Sequence, residues 1–460
     1  MSVPNVNINV INNIVLRDDA TGTALIIGTA SWGPTNKMYE YVGSGEINTL
    51  YKSGNLVDSS NFGVLGGLQN IKVYRIATDD KEKATYSFQS SAVNRITING
   101  KYHGTYGNNI QVTIEEITAG YLRVLISDGL KTEIFDNEGE GYTSNSDIVD
   151  AINDTTTGSN LVDAVLDNDD VLVDDYTATS LAGGDDGDSG LVANDYVSAV
   201  NSLIEEDYDY LLTPDVTEDA THRSIAVIIE SREINYKRPS IYIVGADTNE
   251  SYATTLARTA TTNRGRLFFY GPGTIRYSDT SYSGNVAGAP YLAGLLSVKQ
   301  KGDSLTHDSF GLDFYVSYTD SETYTKYYTK SQELALVNAG FCVANKIGSY
   351  DGIVRAVTRI TDTTNSFYEQ SVRIASDYIV NNLYDILNPF LGERNTATKR
   401  AQIKSLVDDF MDDAVSDEAI VSYESEVVFS SATVVTVNLT VVPVFPINTI
   451  NGNVTLSLSI

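Results

Sequence analysis

Both ends of this chain are written as β-strands with nothing beside them in sequence to pair with. Val6, Ile8 and Val10 alternate with Asn5, Asn7 and Asn9 near the start. At the other end Val454, Leu456, Leu458 and Ile460 alternate with Thr455, Ser457 and Ser459. A period of two places the apolar residues of a strand on one face and the polar residues on the other. Such a strand requires a sheet, because alone it leaves backbone N–H and C=O groups unpaired and its apolar face wet. The termini either complete the chain's own sheet or add to the sheet edge of another copy. The remaining sequence favours the second, an assembly subunit.

With 460 residues the chain is long enough for several packed cores. No run approaches the roughly 18 apolar residues of a membrane span, so no membrane insertion is expected. The first residues lack a basic stretch followed by an apolar block, and Cys342 is the one cysteine, which rules out an intrachain disulfide. Synthesis and assembly in a cytoplasm is the expectation. The net charge of −29 is concentrated: no Lys or Arg lies between Thr132 and His222, a stretch with 24 of the 60 carboxylates. A surface of that sign repels nucleic acid and anionic lipid. Its Asp spacing does not match a calcium loop, so it reads as a solvated acidic face, and neither a metal nor a cofactor is expected.

Along the chain, TALIIGT (Thr23–Thr29) and IKVYRIA (Ile71–Ala77) read as buried strands around a Gly66–Gly67 break. Between 92 and 182, strands such as Arg95–Ile98, Ile110–Glu116 and Tyr121–Ser127 are divided by Gly, Asn and Asp, the pattern of an inserted all-β domain. From Leu191 onward helices alternate with the strands Tyr210–Leu212, Ser240–Ala246 and Arg266–Gly271, which predicts a mostly parallel sheet covered by helices. Two further helices follow. Val372, Ala375, Ile379, Leu383, Ile386 and Phe390 mark the first, and Ile403, Leu406, Val407, Phe410 and Met411 the second, with Asp408, Asp409, Asp412 and Asp413 opposite. Val435, Val437, Leu439 and Val441 then alternate with polar residues as a strand.

Catalysis has few residues to draw on. His103 lies in a Gly-rich turn, His222 at a helix start where a surface position is expected, and His307 in a polar loop. None accompanies a G-x-S-x-G elbow, and no phosphate loop or dinucleotide fingerprint occurs. No enzyme is expected.

Several segments together resemble the tail sheath proteins of contractile phages. They are ALIIGTASWGPTN (Ala24–Asn36), GGLQNIKVYRIA (Gly66–Ala77), HGTYGNNIQVTI (His103–Ile114), LAGGDDG (Leu181–Gly187), NVAGAPYLAGLL (Asn285–Leu296) and the two C-terminal helices. The resemblance runs in the same order along nearly the whole chain and is least clear over 297–335. It implies an α/β-plus-β protein: a linking arm at 1–20, a subtilisin-like α/β core at 21–91 and 183–362, an inserted β-sandwich-like domain at 92–182 facing outward, and an α+β domain at 363–460. It further implies that terminal strands are exchanged between subunits stacked as rings around a tail tube, with baseplate and tail terminator proteins as further partners, in a virion tail assembled in the host cytoplasm. The exchanging residues would be Val6, Ile8, Val10, Val454, Leu456, Leu458 and Ile460, received by Val435, Val437, Leu439 and Val441. Asp408, Asp409, Asp412 and Asp413 would be a tube-facing set or a solvated helix face. An acidic surface-layer or adhesin subunit is the alternative that the acidic bias and terminal strands leave open.

Overall fold

The computed structural model describes residues 22–247, 250–278, 283–299, 302–310, 314–316, 318–320 and 323–447. The exchange residues Val6, Ile8, Val10, Val454, Leu456, Leu458 and Ile460 lie outside them.

The continuous apolar runs of the sequence become one eight-stranded sheet. It is built from β1 (Thr23–Gly28), β2 (Met38–Val42), β3 (Asn70–Arg75), β11 (Tyr210–Leu212), β12 (Ile241–Gly245), β13 (Leu267–Gly271), β19 (Phe341–Ile347) and β20 (Tyr350–Arg355). The order is β2–β3–β1–β11–β12–β13–β19–β20. The inner strands are parallel, and β2 and β20 close the edges antiparallel. Side-chain alternation sends Ala24 and Ile26 to one core and Leu25 and Ile27 to another, and both faces are dry. That is why these strands read as unbroken apolar segments. Helices α1 (Gly45–Tyr51), α2 (Asn55–Gly66) and α7 (Gly288–Ser297) cover the first face. The second is covered by α4 (Ala193–Ser202), α5 (Asp219–Ser231), α6 (Tyr252–Leu256) and α8 (Lys330–Asn338).

Gly66 of the Gly66–Gly67 break and Gly294 of NVAGAPYLAGLL serve one crossing. A Cβ on Gly66 would lie 2.3 Å from the Tyr291 carbonyl oxygen, and one on Gly294 would lie 2.2 Å from the Gly63 carbonyl oxygen. Helices α2 and α7 thus meet backbone to backbone, which explains the glycines without any ligand.

Strands β4 (Thr85–Ser90), β5 (Val93–Gly100) and β9 (Val162–Leu166) form one sheet of a sandwich. Strands β6 (Gln111–Thr118), β7 (Tyr121–Ser127), β8 (Thr132–Phe135) and β10 (Tyr176–Ser180) form the other. Pairing of β4 with β5 begins this layer before residue 92. It also holds a helix, α3 (Asn145–Asn153), where strands alone were expected; Ser144 caps it by accepting from the Asp147 N–H. Both ends of the layer are stitched together. Asn108 Nδ2 donates to Gly184 O at 3.0 Å, and Gly184 N donates to Asn108 Oδ1 at 2.8 Å. The glycine–asparagine turn and the glycine–aspartate turn are therefore the two halves of one seam. Fully buried Arg75 from β3 extends it, donating to Gly33 O at 2.7 Å and His103 O at 2.9 Å. Trp32 plugs the joint, with Cβ atoms on Gly100 or Gly107 falling 3.0 Å from its ring.

Two small antiparallel sheets follow β13. One comprises β14 (Thr274–Ser278), β15 (Ser283–Ala287) and β16 (Phe314–Val316), the other β17 (Tyr318–Asp320) and β18 (Thr323–Lys326). Only β16, β17 and β18 of them fall in the segment that matched least clearly. The chain then forms α9 (Gln370–Leu387), α10 (Ala397–Ser416) and a hairpin of β21 (Ile420–Ser431) and β22 (Val434–Pro443).

Two predictions follow from packing and charge. Gly294→Ala is expected to lower stability by about 1–3 kcal/mol through overpacking, whereas Gly45→Ala, which meets nothing within 4 Å, is expected to be close to neutral; urea unfolding midpoints compare them. At the seam, Lys52 Nζ lies 3.2 Å and Tyr106 Oη 2.7 Å from Asp128 Oδ2. Burial pushes the Asp128 carboxyl up, but hydrogen bonds from Tyr106, the Lys131 and Leu130 amides and Lys52 prevail and hold it at about 2. A depressed carboxyl stabilises the fold above its unfolded pKa and loses that contribution as pH falls through the folded value. Asp128 is therefore expected to contribute on the order of 2 kcal/mol at neutral pH, lost between about pH 4 and pH 2. Asp128→Asn should flatten that part of a stability–pH curve; an unchanged acid limb would refute the assignment.

Candidate assembly interface

The hairpin of β21 and β22 is a two-stranded sheet, and among the described residues neither of its outer edges is paired. Its strands contain 12 and 10 residues, so each edge offers roughly 30–40 Å of backbone donors and acceptors. A two-stranded ribbon is marginal by itself, and α10 supplies its support. Tyr423, Val427, Val435, Val437, Leu439 and Val441 face Ile403, Val407, Met411 and Ala414. The four valine and leucine positions read from the sequence as the receiving strand are thus the helix-facing side of β22. Only Val441 among them is fully buried, and the others are half-buried. Leu406, expected on the buried stripe of the same helix, is instead 40% exposed.

Cross-strand register places Tyr423 opposite Val441, Ser425 opposite Leu439 and Val427 opposite Val437. The other face carries Glu424 opposite Thr440 and Glu426 opposite Asn438. One face is apolar and the other polar, which fixes register, since a slip of one residue would exchange them. Asn395 holds the tip, its Nδ2 donating to Ser431 O at 3.2 Å. At the first turn of α10, the Arg400 guanidinium lies over Phe429, which is 55% exposed, at 5.2 Å.

The four aspartates of α10 do not act as one set. Lys404 Nζ donates to Asp408 Oδ2 at 2.7 Å, and the Ser425 hydroxyl donates to the same carboxylate. Partial burial pushes Asp408 up, but the Lys404 and Ser425 bonds prevail and hold it below the ordinary carboxylate range. Tyr423 Oη donates to Asp412 Oδ1 at 2.8 Å. Asp408 and Asp412 therefore fasten the ribbon to the helix, while Asp409 and Asp413 are exposed.

The switch point of the eight-stranded sheet is occupied by structural bonds among the described residues. The crevice at the carboxyl ends of β1 and β11, where strand order reverses and open α/β sheets bind ligands, is filled by Asp215. Its carboxylate accepts from Thr29 N at 2.9 Å, from Thr29 Oγ1 at 3.0 Å and from Asn55 Nδ2. His222 is buried, not at the surface as the sequence reading expected, because it shares the α5 stripe of Ile225, Ala226 and Ile229. Its Nε2 lies 2.9 Å from Val216 O, and burial pulls the ring down to about 4, so it is neutral. Among the described residues no hydrogen bond joins His103, His222 or His307 to a serine hydroxyl or a carboxylate, and no three His, Cys, Asp or Glu side chains converge on a metal site. No helix among them is long and apolar enough to cross a membrane.

In fold, the chain superposes on the sheath tail protein of Desulfitobacterium hafniense with a TM-score of 0.67 at 14% identity, covering 95% of this chain and all of that one. It has the tail-sheath fold. The helical sheath of the anti-feeding prophage in its contracted state shares this fold at a TM-score of 0.55 and 10% identity, over 99% of both chains. In sequence, the tail-sheath resemblance extends to the putative tail sheath protein of Enterococcus phage phiEF24C, at 25% identity over 285 residues. That match takes in 60% of this chain and 48% of the phage protein, so the chain spans about half the length of the curated relatives it matches. No protein-family model matches it.

The tail-sheath ribbon gives a further expectation. Asp408→Ala is expected to lower stability by about 1 kcal/mol through loss of the Lys404 and Ser425 bonds. Asp413→Asn is expected to leave it unchanged or slightly raised, since the acid opposes the dipole at the end of α10. Thermal unfolding of the two variants side by side checks the contrast.

Proposed function

We propose that this chain is a structural subunit of a phage-like contractile tail sheath, polymerising as stacked rings around a tail tube and contracting to drive the tube through a host envelope. The observation that supports the reading is the β21–β22 ribbon, long, supported on one face and, among the described residues, open on both edges. Strands centred on Val6, Ile8 and Val10, and on Val454, Leu456, Leu458 and Ile460, add to those edges from neighbouring subunits. Backbone ladders of fixed register keep subunits connected while rings rotate.

In this reading the eight-stranded layer is the subtilisin-like core without catalytic residues, and the acidic sandwich faces outward as an inserted domain. The tail tube, baseplate and tail terminator proteins are the further partners, in a virion tail assembled in the host cytoplasm. Asp409 and Asp413, free of the ribbon, are the better tube-facing pair, and Asp408 and Asp412 are structural. Firing requires no nucleotide or other cofactor, because the contracted packing buries more interface than the extended one and the energy is stored at assembly.

Negative-stain electron microscopy of the purified chain at low and moderate salt tests this. Hollow striated tubes of uniform width are expected from the full chain, with or without a tube template. Deletion of residues 1–12 or 447–460 should leave a folded, soluble monomer that does not polymerise. Normal tubes from both truncations would end the strand-exchange reading, and flat lattices from the full chain would replace the sheath by a surface layer.

A further inference from the structure

Helix α9 belongs to two cores at once. Its first half is buried against the eight-stranded layer: Gln370 Nε2 donates to Val357 O at 3.1 Å and Arg373 Nε to Gly265 O at 3.3 Å. Its second half contributes Ile379 and Leu383 to the core shared by α10 and the ribbon, and Tyr378 packs on Phe410 with ring centroids 5.8 Å apart. The helix is 18 residues, about 27 Å, without a break between the two.

A buried charge cluster clamps it at the midpoint. Arg266, at the foot of the central strand β13 and fully buried, donates from Nη1 and Nη2 to the two oxygens of Asp377 at 2.7 and 2.8 Å. Its Nε donates to Glu233 Oε2 at 2.6 Å and its Nη1 also to Ser240 O at 3.1 Å. Arg373 adds an ion pair to Glu233 at 3.7 Å. Glu233 reaches inward from a π-helical turn, Arg232–Tyr236, that continues α5. Glu230, one turn earlier on α5, is paired with Arg264. Three elements remote in sequence thus converge on one guanidinium.

We propose that α9, held by Arg266, Asp377 and Glu233, is a rigid strut that transmits force between the ribbon and the eight-stranded layer, so that the two move as one body. The purpose rests on the sheath reading, but the stiffness is a property of the single chain. A bidentate pair whose guanidinium is fully buried and whose carboxylate is largely buried has no intermediate geometry that keeps both charges satisfied. The joint therefore cannot yield gradually, and a pull on the ribbon reaches β13 through a helix and one side chain.

Because Cys342 is fully buried, nitroxides attached through Ser224→Cys on α5 and Ser405→Cys on α10 report the distance between the two bodies by electron–electron resonance. The parent chain is expected to give one narrow distribution. Asp377→Asn should broaden it by about twofold or more as the clamp opens, and Glu233→Gln should broaden it less. If Asp377→Asn fails to fold, Glu233→Gln carries the test, since it retains the Arg266–Asp377 pair. A broad distribution in the parent, or unchanged width in the folded variants, would overturn the strut. Absence of tubes from the parent would count against the sheath reading and leave this result untouched.

Discussion

Buried guanidinium groups hold the layers of this protein together. Arg75 joins the sandwich to β3, Arg266 joins α9 to β13, and Arg359 ties the segment after β20 to Arg258 O and Thr261. Arg232 gathers the loop before β11 through Ile204 O and Tyr208 O. Most of these bonds go to backbone carbonyls, which a planar five-donor group can reach from several directions at once. Burial lowers Arg75 and Arg359 to about 10, so both stay charged at neutral pH. With a single buried cysteine, the chain has no disulfide to fix such joints. The arginines hold loops that would otherwise leave their carbonyls buried and unpaired, at a cost of about 1–3 kcal/mol each.

The same view reorganises the acidic residues. Asp128, Asp186, Asp215, Asp377 and Asp408 each accept hydrogen bonds from groups distant in sequence, and so belong to joints. A carboxylate at a joint and one on a solvated face look alike in a sequence. Only the geometry of the partner separates them, and in these cases the partner is remote: Asp377 is 111 residues from Arg266. The acidic stretch between Thr132 and His222 is therefore not uniform, since Asp186 and Asp215 lie within it and hold the fold.

What was legible followed the periodicities. Unbroken apolar runs gave the parallel sheet, because alternate residues enter two cores. The glycine–asparagine and glycine–aspartate turns were legible as motifs, although the bonds between Asn108 and Gly184 that explain them were not. Helix α3 carried a signal, Ser144 three residues before Asp147, which the surrounding Asn, Asp and Gly obscured. His222 also carried one: it stands three, four and seven residues before Ile225, Ala226 and Ile229, the spacing of one helix face. Arg373 and Asp377 stand four residues apart, the spacing of any neighbouring pair on a helix, and nothing local announces that Arg266 and Glu233 will enclose them.

Charge on α10 runs against the helix dipole, with Lys399, Arg400 and Lys404 early and Asp408, Asp409, Asp412 and Asp413 late. The ribbon recovers part of that cost, because Lys404, Ser425 and Tyr423 engage Asp408 and Asp412. Among the described residues Asp409 and Asp413 engage no such partner. An exposed pair that takes no part in holding the ribbon is a solvated face of α10, and it is also the part of that helix free to meet a basic surface of a partner. On the sheath reading that surface belongs to the tube. The helix that supports the ribbon proposed to accept strands would then also face the tube, and α9 would connect both contacts to the central sheet through one clamp.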